Sequence, residues 1–132
     1  PKVVGQLDGA PDGFELLCRF FCLPGEREAV EPLARFMFSS YITVPVYEAF
    51  YRWLGYGEQI DPMVAAWQAG DRQKAAAEAP WELIEDMFIF GEPAAMRDRL
   101  EAFVEGGITL PVLTPIAPPD QLADLIEALR PS

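Results

Sequence analysis

The chain of 132 residues has the length of one ordinary domain, and its 51% hydrophobic content is enough to build a core. Ten Lys and Arg against 21 Asp and Glu leave a net charge of −11, so a phosphate backbone or an anionic bilayer would be repelled, and neither nucleic acid nor a membrane is an expected partner. Histidine is absent, which excludes Ser-His-Asp and Cys-His nucleophile systems and His-ligated zinc, and leaves carboxylates, tyrosines, thiols or a cofactor to carry any chemistry.

Residues 1–13 read as a loose leader. Residues 14–23 are almost continuously apolar, the pattern of a strand covered on both faces in a parallel sheet, and Pro24-Gly25 ends it. Cys18 and Cys22 fall on this strand about 13 Å apart, too far for a disulfide, and two buried thiols suggest a reducing, cytoplasmic setting. No signal peptide or membrane-crossing apolar stretch is visible, so the expectation is a soluble protein. From Glu26 to Tyr41 the residues Val30, Leu33, Phe36, Met37 and Tyr41 recur at helical spacing, with Pro32 marking a kink or a restart. A second helix carries Val46, Phe50 and Leu54 on one face until Gly55. Asp61-Pro62 reads as an N-cap and first turn, with Gly70 closing that helix. Asp71 caps an alanine-rich helix that Pro80 interrupts before Trp81 and Ile84.

Residues 87–90 form a second apolar strand ended by Gly91. Pro93 opens a helix with Met96, Leu100, Phe103 and Val104 inward, stopped by Gly106-Gly107. Residues 110–116 form a third strand whose Pro111 and Pro115 suit strand ends instead of a central ladder position. Asp120 caps a last helix with Leu122, Leu125, Ile126 and Leu129 in one stripe. The rhythm is that of an α/β fold with about three parallel strands and intervening helices. Three strands leave a parallel sheet without neighbours. Pro1 either follows a removed initiator Met or lies within a longer gene product. The element list favours the second, because it matches the last part of a (β/α)8 TIM barrel, which takes roughly 250 residues. Residues 1–132 are then a single C-terminal segment of such a barrel.

Four segments carry a family resemblance: Tyr41-Ile-Thr-Val-Pro-Val-Tyr47, Trp53-Leu-Gly-Tyr-Gly57, Ala65-Ala-Trp-Gln-Ala-Gly-Asp-Arg72, and Phe90-Gly-Glu-Pro-Ala-Ala-Met-Arg97 leading to Gly106-Gly-Ile-Thr-Leu-Pro-Val-Leu113. In this order and spacing the sequence resembles the C-terminal part of luciferase-like flavin- or F420-dependent oxidoreductases and monooxygenases. The resemblance implies a partial TIM barrel, with F420 or FMN at the carboxyl ends of the strands and a hydride passed to or from a small organic substrate. The family's acid/base and ring-contacting residues lie mainly in earlier strands, so no catalytic residue is carried over. The isolated chain is expected to bind the cofactor weakly or not at all.

Barrel geometry places functional groups just after each strand, at residues 22–25, 90–92 and 114–117. Gly91, before the helix opening at Pro93, and Thr114 are the candidate cofactor-binding residues on that ground. Gly91 would let a backbone approach a phosphate, although Glu92 puts a negative charge at the same mouth and such a glycine also serves as a plain turn. Tyr41, Tyr47, Phe50, Tyr51, Trp53 and Tyr56 read as core or interface, or else as a wall for a planar ring. Arg19, alone in an apolar strand, reads as a buried cation paired with an acid, or as a ligand-facing charge. Glu82, Glu85 and Asp86 read as a solvated helix face, and Asp8, Asp12 and Glu15 lack metal-loop spacing, so no metal site is expected. Exposed strand edges and the aromatic helix predict a homo-oligomer. The competing reading is a non-catalytic α/β module that works by association.

Overall fold

Apolar residues covered on both faces favour extended backbone, and the three longest such runs are the strands β1 (Leu17–Pro24), β2 (Phe88–Gly91) and β3 (Leu110–Pro115) of a computed structural model that describes residues 2–130. All pairing is parallel: Phe21 of β1 lies between Phe88 of β2 and Thr114 of β3. The helices are α1 (Arg27–Ile42), α2 (Pro45–Leu54), α3 (Gly57–Gln68), α4 (Arg72–Ala77), α5 (Trp81–Met87), α6 (Pro93–Glu105) and α7 (Pro119–Ala128), preceded by a 3-10 turn at Val4–Leu7. The chain is therefore α/β with three parallel strands in one open sheet. None of the described helices is long and apolar enough to cross a membrane.

The strand order is β2-β1-β3. Three successive units of a (β/α)8 barrel would run β1-β2-β3, because each barrel strand pairs with its chain neighbours; here the first strand is central and the last lies on its other side. Ladder direction explains why β3 sits at an edge. Leu110 N–H donates to Leu16 O at 3.2 Å and Ile116 N–H to Cys22 O at 2.8 Å. Donors alternate sides along a parallel strand, so Leu110, Val112, Thr114 and Ile116 face β1, while residues 111, 113 and 115 face away. Two of those three are prolines without an N–H. The outer edge of β3 thus offers one donor, Leu113, and is closed to the strand addition expected of an exposed edge.

The chain divides into two compact units, one holding the residues up to Arg27 together with those from Phe88 onward, the other Glu28–Met87. In the sheet unit one face packs Phe20 and Cys22 of β1 and Ile89 of β2 with Met96 and Leu100 of α6, Leu125 of α7 and Leu129 just past it. The Phe20 and Phe103 rings lie 4.7 Å apart. On the opposite face Phe21 and Phe88 are buried and their rings stack at 5.5 Å. Arg19 points to this second face but is exposed, with its guanidinium 4.9 Å from the Phe21 ring centre. The expectation of a buried cation is corrected: Arg19 is exposed, and its side chain covers an aromatic ring.

In the helical unit α1 buries Val30, Ala34, Phe38 and Ile42. The stripe expected from Leu33 and Phe36 is instead exposed, because the core face steps by four residues and takes the small Ala34 where the larger Leu33 was read. Pro32 lies inside α1 without ending it, at the loss of one bond to the carbonyl four residues earlier. Likewise α3 starts at Gly57 and runs through Pro62; Asp61 caps nothing, and accepts instead from the Arg52 guanidinium at 2.7 Å. Asp71 does cap α4, accepting from Lys74 N–H at 2.9 Å. Asp120 lies within the first turn of α7, whose cap position is Pro118. Arg35 donates to the carbonyl of Ala77, the last residue of α4, and to that of Ala79 just past it, and so satisfies groups that the helix terminus leaves open.

Candidate functional site

Parallel, in-register pairing brings the three segments singled out by sequence to one edge of the sheet: Pro24 lies opposite Gly91, and Cys22 opposite Pro115. Gly25 N–H donates to Gly91 O at 3.3 Å, tying the ends of β1 and β2. Thr114 is half-buried on β3, on the far side of β1 from Gly91, and one described cavity in each unit includes neither residue. The structure thus gathers the strand ends and keeps the two candidate residues on opposite outer strands.

The conformation of Gly91 favours a glycine at this position. Its φ is 112°, a region that side chains rarely adopt, and an added Cβ would meet only Ala95 Cβ at 3.8 Å, an ordinary contact. The glycine serves the turn from β2 into α6, and the space beside it is open. Charge at the strand ends is mixed: Glu26, Glu92 and Asp120 follow the three strands, all exposed, and the exposed Arg27 opens α1 directly after Glu26. A phosphate-bearing cofactor such as F420 or FMN would meet three carboxylates and one arginine there, so these residues by themselves fit it poorly.

The remaining reactive groups are quiet. Burial pushes the Cys22 thiol up to about 11, with a hydrogen bond to the Thr114 backbone opposing in part, and burial also raises Cys18. Both are free thiols, and at neutral pH neither is a nucleophile. Tyr51 is pushed up to about 12 by burial, with the Asp86 and Tyr56 charges adding to it, and its hydroxyl meets the Met87 sulfur at 3.8 Å. It packs edge-on against Phe38 at 5.7 Å, so this part of the aromatic set is core. Among the described residues no group of three or more His, Cys, Asp or Glu is placed to hold a metal ion.

A cleft that sequence reading missed lies along α6, β3 and α7. It measures about 630 Å3 and has Leu100, Val104, Pro111, Leu113 and Leu129 as apolar wall, with Arg97, Glu101, Glu105 and Arg130 as charged rim. The size falls in the range of small-molecule pockets. It includes no strand-end residue, and its rim charges cancel. The signal for it was Val104, an apolar residue on the expected core stripe of α6 that stays exposed because β3 ends the sheet. Comparison with known proteins gives no match to a family model, a curated protein or a solved structure.

Proposed function

We propose that this chain is the C-terminal portion of a luciferase-like oxidoreductase that transfers a hydride between F420 or FMN and a small organic substrate, and that it supplies scaffold and pocket wall without the cofactor cradle. The observation that carries the reading is where the resembling segments fall. Each lies at an element junction: α1 to α2, α2 to α3, α3 to α4, β2 to α6, and α6 to β3. Junctions set how successive elements are aimed, so a resemblance confined to them supports the reading. When bound, the cofactor accepts or donates the hydride; this chain's residues close the sheet and exclude water.

The second reading, an α/β association module, is favoured by the β2-β1-β3 order and by the exposed aromatic surface of α2. Translating the DNA upstream of Pro1 separates the two. Several βα units in frame, and micromolar F420 or FMN binding by the joined chain but not by this one, support the oxidoreductase. A stop codon immediately upstream, or saturable micromolar binding by this chain alone, refutes it.

A further inference from the structure

The chain contains eight aspartates and no asparagine. Five of the aspartates lie within helices, and Asp71 caps one. The other two, Asp8 and Asp12, each precede a glycine in the segment ahead of β1, where residues 8–15 are all exposed. Each Asp-Gly pair forms the middle of a turn. Ala10 N–H donates to Leu7 O at 2.9 Å and Phe14 N–H to Pro11 O at 3.1 Å, with φ of 88° at Gly9 and 80° at Gly13. Asp8, at φ −56° and ψ 120°, makes the first a type II turn. In such a turn the fourth residue donates the closing bond, so the Gly9 N–H takes no part in it.

We propose that Asp8-Gly9 and Asp12-Gly13 are modification sites, at which aspartate converts spontaneously to isoaspartate through a succinimide. The glycine backbone nitrogen attacks Cγ of the neutral aspartic acid. The N–Cγ bond forms, the amide proton and the acid hydroxyl leave as water, and a five-membered ring closes. Water then reopens the ring. Attack at Cγ restores aspartate, whereas attack at the main-chain carbonyl carbon frees the α-carboxylate and routes the backbone through Cβ. Only water is lost and regained, so the product has the mass of the starting chain. Glycine, with no Cβ, leaves this nitrogen open to the approach. At a ψ of 120° the Asp8 Cγ does not reach it, so the turn opens first. One hydrogen bond holds each turn, and no residue from 2 to 19 is buried to oppose the opening. The other aspartates are held back: helical ψ lies away from the ring geometry, Asp61 is followed by a proline nitrogen with no proton to lose, and the Asp71 carboxylate accepts from Lys74 N–H at 2.9 Å. The segment is tied at both ends, Val4 beside Gly107 and Leu16 N–H on Thr109 Oγ1 at 2.7 Å. Each isoaspartate therefore adds a carbon to a tethered loop and unmakes its turn. The inference is independent of the oxidoreductase reading.

Ageing of the full chain at neutral pH is the test, run in parallel on native protein and on protein in guanidinium chloride. Proteolysis and electron-transfer mass spectrometry then separate isoaspartate from aspartate at equal mass. In the native chain, residues 8 and 12 are expected to convert within about tenfold of the denatured rate, and Asp98, Asp120 and Asp124 at least about tenfold more slowly than residues 8 and 12. A transient species lighter by one water should accompany the conversion. Asp8→Glu, whose closure would need a six-membered ring, should remove the product at residue 8 and leave that at residue 12, with unchanged circular dichroism. Since the chain has no asparagine, deamidation cannot supply the product. Conversion of residues 8 and 12 slower than the denatured rate by more than that tenfold, or equal conversion at Asp98 in the native chain, overturns the proposal.

Discussion

Phe20→Ala removes one of the two phenylalanines that the central strand buries in the sheet unit. Phe20 is 2% exposed, with its ring 4.7 Å from that of Phe103. A buried Phe→Ala change costs about 3–5 kcal/mol from lost transfer energy and residual cavity, and the ring pair accounts for about 0.5–1.5 kcal/mol of it. We expect about 4 kcal/mol, a large part of the roughly 5–15 kcal/mol that holds a domain together. Val112→Ala, on the edge strand and 36% exposed, should cost no more than about 1 kcal/mol. Urea unfolding followed by far-UV circular dichroism gives both values, and a cycle with Phe103→Ala gives a coupling of about 0.5–1 kcal/mol. A Phe20→Ala loss below about 1.5 kcal/mol, or a Val112→Ala loss equal to it, would refute the placing of β1 at the centre and β3 at the edge.

Three further outcomes follow from the local chemistry. Asp71→Ala should cost about 1 kcal/mol by removing the cap bond to Lys74 N–H, and Asp71→Asn should keep most of it, read from thermal unfolding. A thiol held at about 11 instead of 9.0 carries about 100-fold less thiolate at pH 8, so Cys22 should alkylate at least that much more slowly in the native protein than in urea; equal rates would contradict its burial. Cys22 and Tyr51 both hold their protons more tightly folded than unfolded. Stability from these two groups is therefore complete below about pH 9 and is lost as pH rises through 9 to 12, and Tyr51→Phe should blunt the upper part of that loss.

The sequence was most legible where local chemistry acts alone. The runs behind β1, β2 and β3 lie within three residues of the observed strands, and Pro93, Gly55, Asp71 and Gly106-Gly107 end or open the helices expected of them. Pro32 and Pro62 misled because packing outweighs one missing helix bond. Leu33 and Phe36 misled because an apolar residue one step off the core stripe has the same periodicity as one on it. Strand order was not legible, since periodicity shows that a strand is covered and not which strand lies beside it. The prolines of β3 held part of the answer: they lie four apart, hence on one side of the ladder. At the candidate site Gly91 and Thr114 could be placed at strand ends, but only the register shows them on opposite outer strands.

Native-state amide hydrogen exchange along β3, resolved by NMR, tests the sheet most directly. The account predicts that Val112, Thr114 and Ile116, whose N–H groups face β1, are protected to nearly the global unfolding free energy, while Leu113 between them exchanges orders of magnitude faster. Protection of Leu113 equal to that of its neighbours would mean a second strand on the outer side of β3, and would contradict the open sheet with β1 at its centre.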